Sequence, residues 1–196
     1  MNTIDADAIL REYYPQGSAT YDILKRHGKQ VAAKALAIAD RPDLGPVDQD
    51  FLFEAALLHD IGIFMTDTPA LGCHGSQPYI CHGVLGRELL EKRGLHRHAL
   101  VCERHVGVGL SARDIEEQQL PLPLRDMQPQ TLEEEIICYA DKFFSKNKGN
   151  GEKPRTVEEV AALLGRYGPE PVRRFQAWAR RFENGNGVPE HPGHRG

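Results

Sequence analysis

The sequence predicts an all-α fold, a helical bundle with a polar centre held between its helices. Three observations predict it. Apolar residues recur at three- and four-residue spacing along most of the chain. Two later segments open on Thr-x-x-Glu, at Thr131 and Thr156, the signature of a capped helix start. No stretch shows the strict alternation of a strand.

The elements follow in order. Residues 5–14 form a short helix with Ile9, Leu10, Tyr13 and Tyr14 inward, ended by Pro15-Gln16-Gly17. Residues 20–40 carry Ile23, Leu24, His27, Val31, Ala35 and Ile38 on one face, until Pro42, Gly45 and Pro46 break the pattern. Residues 48–60 are apolar on more than one face and hence deeply buried. A long connection, 61–80, holds Gly62, Pro69, Gly72, Gly75 and Pro78; loops of this length usually serve function. Helices follow at 81–93 and 96–106, then a segment punctuated by Pro and Gly to 130, then a helix from Thr131 to about Phe144. The polar run SKNKGNGEKPR at 145–155 reads as exposed. Two further helices carry Val160, Leu163 and Leu164, then Val172, Phe175, Trp178 and Phe182. The expected organisation is a principal domain over 1–146, a linker over 147–155, C-terminal helices over 156–183 packing on the bundle, and a disordered tail over 184–196.

Composition narrows the function. The chain has 196 residues, 40% of them hydrophobic, enough for one sizeable core. Its net charge of −4, with no basic block, does not suggest a nucleic-acid partner or an anionic membrane surface. The N-terminal residues lack a secretory pattern and no apolar run approaches a membrane span, so the expected location is cytoplasmic. Four cysteines, none in CxxC spacing, read as reduced and buried; a zinc site from Cys73, His74, Cys81 and His82 would have a spacing that suits no common pattern.

The informative residues are polar ones on apolar faces. His27, His59, Asp60, His82, His105 and Asp141 each fall where the helical pattern points inward. A lone histidine there is more often a hydrogen-bonded core residue. A buried carboxylate is costlier and normally finds a cation, here Arg104 or Lys142 on a purely structural reading. Six such residues would need six separate structural explanations, whereas a bound metal pair satisfies all of them. Imidazoles with carboxylates suit Zn, Fe, Mn, Ni or Co, and helical bundles build such sites from facing helices.

His27, then HDIG at 59–62, then Asp141 in YADK, resembles the HD superfamily of metal-dependent phosphohydrolases, over roughly residues 20–145. HDIGIF, ICHGVLGRELLEKRGL and ERHVGVGLSARDIEEQQLPLP are similar to a small group of uncharacterised HDIG-type hydrolases. The resemblance implies a first metal on His27, His59, Asp60 and Asp141. Asp60 would bridge to a second metal on His82 and His105. Related sequences often place Lys or Arg directly after the glycine; here that residue is Ile63, which leaves Lys142, Arg104 or the 61–80 loop to contact phosphate.

The implied reaction is attack of a metal-activated hydroxide on a phosphate ester or anhydride of a nucleotide or another small metabolite, with Asp60 orienting the nucleophile and Lys142 and Arg104 as cationic candidates. A cyclic-di-nucleotide phosphodiesterase is disfavoured by the missing GYP-type signature. Two alternatives stay open: a di-iron oxygenase, as some relatives of this scaffold are, and a non-catalytic ligand-binding protein. His98 reads as supporting or core, and His96, His191 and His194 as exposed. The C-terminal helices read as packing, with a homodimer surface as the alternative, and Arg173, Arg174, Arg180 and Arg181 as their solvated face.

Overall fold

A computed structural model describes residues 3–146 and 153–183. The disordered tail expected over 184–196 and most of the linker lie outside them. The described residues form an all-α protein: α1 (Ala6–Tyr13), α2 (Ala19–Ala39), α3 (Gln49–Leu58), α4 (His82–Glu91), α5 (His96–Arg104), α6 (Ala112–Glu117), α7 (Leu132–Asp141), α8 (Val157–Leu164) and α9 (Pro169–Glu183). Side-chain caps start several of them. Asp5, Ser18 and Asp48 accept backbone N–H groups at the starts of α1, α2 and α3. Thr156 and Glu159 complete the expected capping box of α8. At α7 only half the box forms. Thr131 caps the Glu134 amide, but the Glu134 carboxylate turns instead to Arg104 and the Gln130 amide.

Three other details depart from the sequence reading. The 61–80 loop contains a two-residue hairpin, β1 (Asp67–Thr68) paired antiparallel with β2 (Cys73–His74). It is too short to show alternation. The punctuated 107–130 segment contains α6, which buries only Ile115 and so leaves no apolar stripe to detect. α7 ends at Asp141, three residues early, because the chain tightens into a turn there.

Two apolar clusters meet across the bundle. One joins Val31, Leu52, Ala56, Ile137 and Tyr139 to Val160, Phe175 and Trp178, so α8 and α9 share the core of α2, α3 and α7. The other gathers Leu10, Tyr14, Leu24, Leu58, Ile61, Leu90 and Cys102. On α2 the change from one cluster to the other falls between Leu24 and Val31, the stretch that contains His27. The chain after α3 is fixed by Tyr14, whose hydroxyl donates to the Ile61 carbonyl at 2.8 Å and accepts from the Phe64 amide at 2.9 Å.

Glycines let the elements around this turn approach closely. A Cβ on Gly62 would lie 2.2 Å from the His82 carbonyl oxygen and 2.5 Å from the Gly86 nitrogen. One on Gly83 would lie 2.6 Å from the Cys102 carbonyl oxygen. The turn, α4 and α5 thus pack backbone to backbone. Glu103, buried on α5, reinforces this packing by pairing with Arg87 of α4 and with Arg125. Among the described residues, no helix is long and apolar enough to cross a membrane.

Candidate metal centre

Five helices bring six ligand-type side chains together. α2 supplies His27, the end of α3 supplies His59 and Asp60, α4 opens with His82, α5 closes at His105, and α7 ends at Asp141. All six are buried. Their polar atoms converge. His27 Nε2 lies 2.9 Å from Asp141 Oδ1 and 3.2 Å from His59 Nε2. His82 Nε2 lies 3.1 Å from His105 Nε2.

Asp60 stands between the two histidine pairs and divides its oxygens. Oδ2 faces His59 at 3.0 Å and His27 at 3.4 Å; Oδ1 faces His82 at 3.4 Å and His105 at 3.5 Å. Neither oxygen accepts a well-directed hydrogen bond. A buried carboxylate left so is stable only beside positive charge.

The backbone sets the histidine tautomers. Nδ1 of His59, His82 and His105 donates to the carbonyls of Ala56, Tyr79 and Cys102 at 2.7, 2.6 and 2.7 Å. A carbonyl only accepts, so each Nδ1 carries a proton, and each ring when neutral directs the Nε2 lone pair at the centre, as metal-binding histidines do. Two such lone pairs at van der Waals distance repel unless a cation or proton lies between them. Two sets meet the reach of one ion: His27, His59 and Asp141, and His59, Asp60 and His105. The donor set and the Asp60 oxygens, which lack a well-directed hydrogen bond, therefore fit a divalent metal.

Electrostatics describe how the cluster is held without one. Burial pushes His27 down to about 4 and His82 down to about 3, and lowers His105 as well, so all three are neutral at pH 7. Burial also opposes charge on His59, but Asp60 and Asp141 outweigh it and hold that group up at about 9. Burial would raise both aspartates; His59 and Lys146 hold Asp60 well below the usual range, and Lys142 and Lys146 do the same for Asp141. At pH 7 His59 therefore carries a positive charge beside both aspartates.

The cationic candidates separate. Lys142 Nζ sits 2.7 Å from Asp141 Oδ2 and 3.1 Å from the His105 carbonyl oxygen. Arg104 Nη1 instead donates to both carboxylate oxygens of Glu134 at 2.8 and 2.9 Å, and Arg104 does not line the cavity beside the cluster. Ile63 is fully buried and faces the core. Lys146, in the run read as exposed, lies 2.8 Å from Asp60 Oδ2. Its one signal in the sequence is position, a helical turn after Lys142. His98 pairs with Glu54 at 3.1 Å, a core role. Cys81 points at the Pro121 carbonyl, and no cysteine joins either ligand set among the described residues. His74 and His96 are exposed, and His191 and His194 lie outside the described residues. Arg174, read as part of a solvated face, donates to the carbonyls of Val108 and Gly109 at 2.9 and 3.0 Å.

Comparison with known proteins agrees with this geometry. A sequence model described as the HD domain matches residues 24–145. An uncharacterised protein of Methanocaldococcus jannaschii is 37% identical over 142 residues, covering 72% of this chain and 76% of that protein. Two relatives are named tRNA (cytidine(56)-2'-O)-methyltransferase. That of Thermoplasma volcanium is 32% identical over 179 residues, 91% of this chain and 46% of the relative. That of Picrophilus torridus is 34% identical over 128 residues, 65% of this chain and 33% of the relative. The chain thus spans less than half the length of either methyltransferase. No solved structure matches. With the family match covering more than half of the chain and all six clustered residues inside it, the chain belongs to the HD-domain family.

Proposed function

We propose that this protein is a metal-dependent phosphohydrolase that cleaves a phosphate ester or anhydride of a small metabolite. The observation that carries the reading is the division of Asp60 between two histidine pairs, His27 with His59 on one oxygen and His82 with His105 on the other. Two ions would be held, one by His27, His59, Asp60 and Asp141, the other by Asp60, His82 and His105. When bound, a divalent pair supplies an acidified water and offsets charge on phosphoryl oxygens.

The chain's own groups do the rest. His82, His105, Asp141, Lys142 and Lys146 line the adjoining cavity, so phosphate enters from the second histidine pair. The two lysines are part-buried, and neighbouring Asp141 and Asp60 outweigh the desolvation that disfavours their charge. They take the place of the basic residue that Ile63 replaces and counter charge as it builds on the phosphoryl group. Asp60 and Asp141, both ionised, accept the hydrogen bonds that orient the attacking water. The water oxygen bonds to phosphorus as the bond to the leaving oxygen breaks.

The methyl transfer in the names of two relatives is not carried over. The chain spans 33% and 46% of those proteins, and its buried polar cluster consists of metal ligands. Elemental analysis of the purified protein, followed by a phosphate-release screen over nucleotides and phosphomonoesters, tests the proposal. Divalent metal with metal-dependent phosphate release is expected. Oxygen uptake with a di-iron signal and no phosphate release would replace it with an oxygenase.

A further inference from the structure

The cavity beside the metal centre holds about 450 Å³, within the range of roughly 300–1,000 Å³ for small-molecule sites. Asp141, Lys142 and Lys146 line it beside the ligand cluster, and Asp114 and Arg155 line it as well. Its apolar lining includes Val160, Leu163, Leu164 and Tyr167 of the C-terminal segment. That segment lies beyond residues 24–145, outside the matched family region. Val160 and Leu164 are buried there, whereas Leu163 and Tyr167 are exposed. Among the described residues, five large hydrophobic side chains are exposed, and three of them line this cavity: Tyr79, Leu163 and Tyr167, at 40%, 36% and 71%. Tyr79 also meets the ligand cluster. Its ring stacks on His82 with centroids 4.6 Å apart, and it lines the cavity together with Lys146.

We propose that Tyr79, Leu163 and Tyr167 form a shelf that selects the substrate by its organic half, a flat group of nucleoside size. The inference rests on the phosphohydrolase reading of the centre. A bare phosphate would occupy only the part beside the ligand cluster and leave apolar side chains against water. Two tyrosine rings suit a flat heterocycle, which stacks on aromatic faces whatever its sequence of ring atoms. Gln118, exposed and lining the same cavity, brings an amide that can both donate and accept along a heterocycle's edge.

Calorimetric binding of two anions with the same charged end tests the shelf: adenosine 5'-phosphorothioate, which resists hydrolysis, and inorganic thiophosphate. The wild type is expected to bind the nucleotide about tenfold or more tighter than thiophosphate, the gain one stacked ring brings. The double variant Leu163→Ala/Tyr167→Ala alters two exposed side chains. It is expected to lose most of that preference and to bind thiophosphate as before, which also reports an intact centre. Equal affinities in the wild type, or an undiminished preference in the variant, would overturn the shelf and leave the phosphohydrolase reading standing. A wild type that binds neither anion would overturn both.

Discussion

Gly62→Ala offers a direct measure of how the second histidine pair is positioned. The added Cβ would sit 2.2 Å from the His82 carbonyl oxygen and 2.5 Å from the Gly86 nitrogen, both backbone atoms of α4. Ordinary contact begins near 3.4 Å, so α4 has to retreat by roughly 1 Å, and His82, its first residue, moves with it. Metal and catalytic constellations tolerate displacements of about 0.5 Å. The overpacking costs about 2–3 kcal/mol, a Tm loss of about 4–12 °C for a chain of this size. The expected variant is folded but less stable, retains metal on His27, His59 and Asp141, and loses metal from the His82 side. Catalysis falls by about 100-fold, as for a 1 Å misplacement. Differential scanning calorimetry, metal stoichiometry and phosphate release read the three effects. A variant with two tightly bound ions and unchanged Tm would refute the claim that backbone contact between the HDIG turn and α4 sets the site.

Further outcomes follow from the same geometry. His59→Ala and Asp141→Ala are each expected to lose bound metal and phosphate release, measured by elemental analysis and activity; a variant keeping both would remove that residue from the ligand set. His82→Ala is expected to hold about half the wild-type metal, and full occupancy would exclude the second site. At pH 7 metal uptake is expected to release a single proton, that of His59, because burial already keeps His27, His82 and His105 neutral and both aspartates ionised. Apparent affinity then rises about tenfold per pH unit up to about 9, the raised His59 value, and levels above it. Titration of the metal-free protein in weak buffer reads the proton count, and uptake without release would contradict the assignment.

The sequence carried more of the fold than of the approach to the site. Helical periodicity was readable in α2 and α3 because long apolar faces pack on both sides, and the same regularity exposed His27, His59 and Asp60 as polar intrusions. α6 and the small hairpin were not readable, since each is too short for period or alternation to emerge. Arg104 and Lys146 show a deeper limit. Both look like surface charges in a linear pattern. Arg104 pairs with Glu134 because that carboxylate leaves its own capping position, which depends on how α5 lies against α7. Lys146 reaches Asp60 only because the chain turns after Asp141 rather than continuing the helix.

That turn bears on the chemistry. A part-buried lysine is helped to stay charged by the anions it can reach, and Asp60 and Asp141 are the groups paired with Lys146 and Lys142. With metal bound, the same carboxylates are shared, and the ammonium groups lose part of their compensation. They would then be undercompensated cations lining the cavity, a condition that an incoming phosphate relieves. The arrangement therefore couples metal loading to anion affinity. Metal-loaded protein should bind inorganic phosphate more tightly than metal-free protein, and Lys146→Met should remove part of that gain while leaving metal content unchanged. Equal phosphate affinity in the two loading states would separate the lysines from the centre and return them to a structural role.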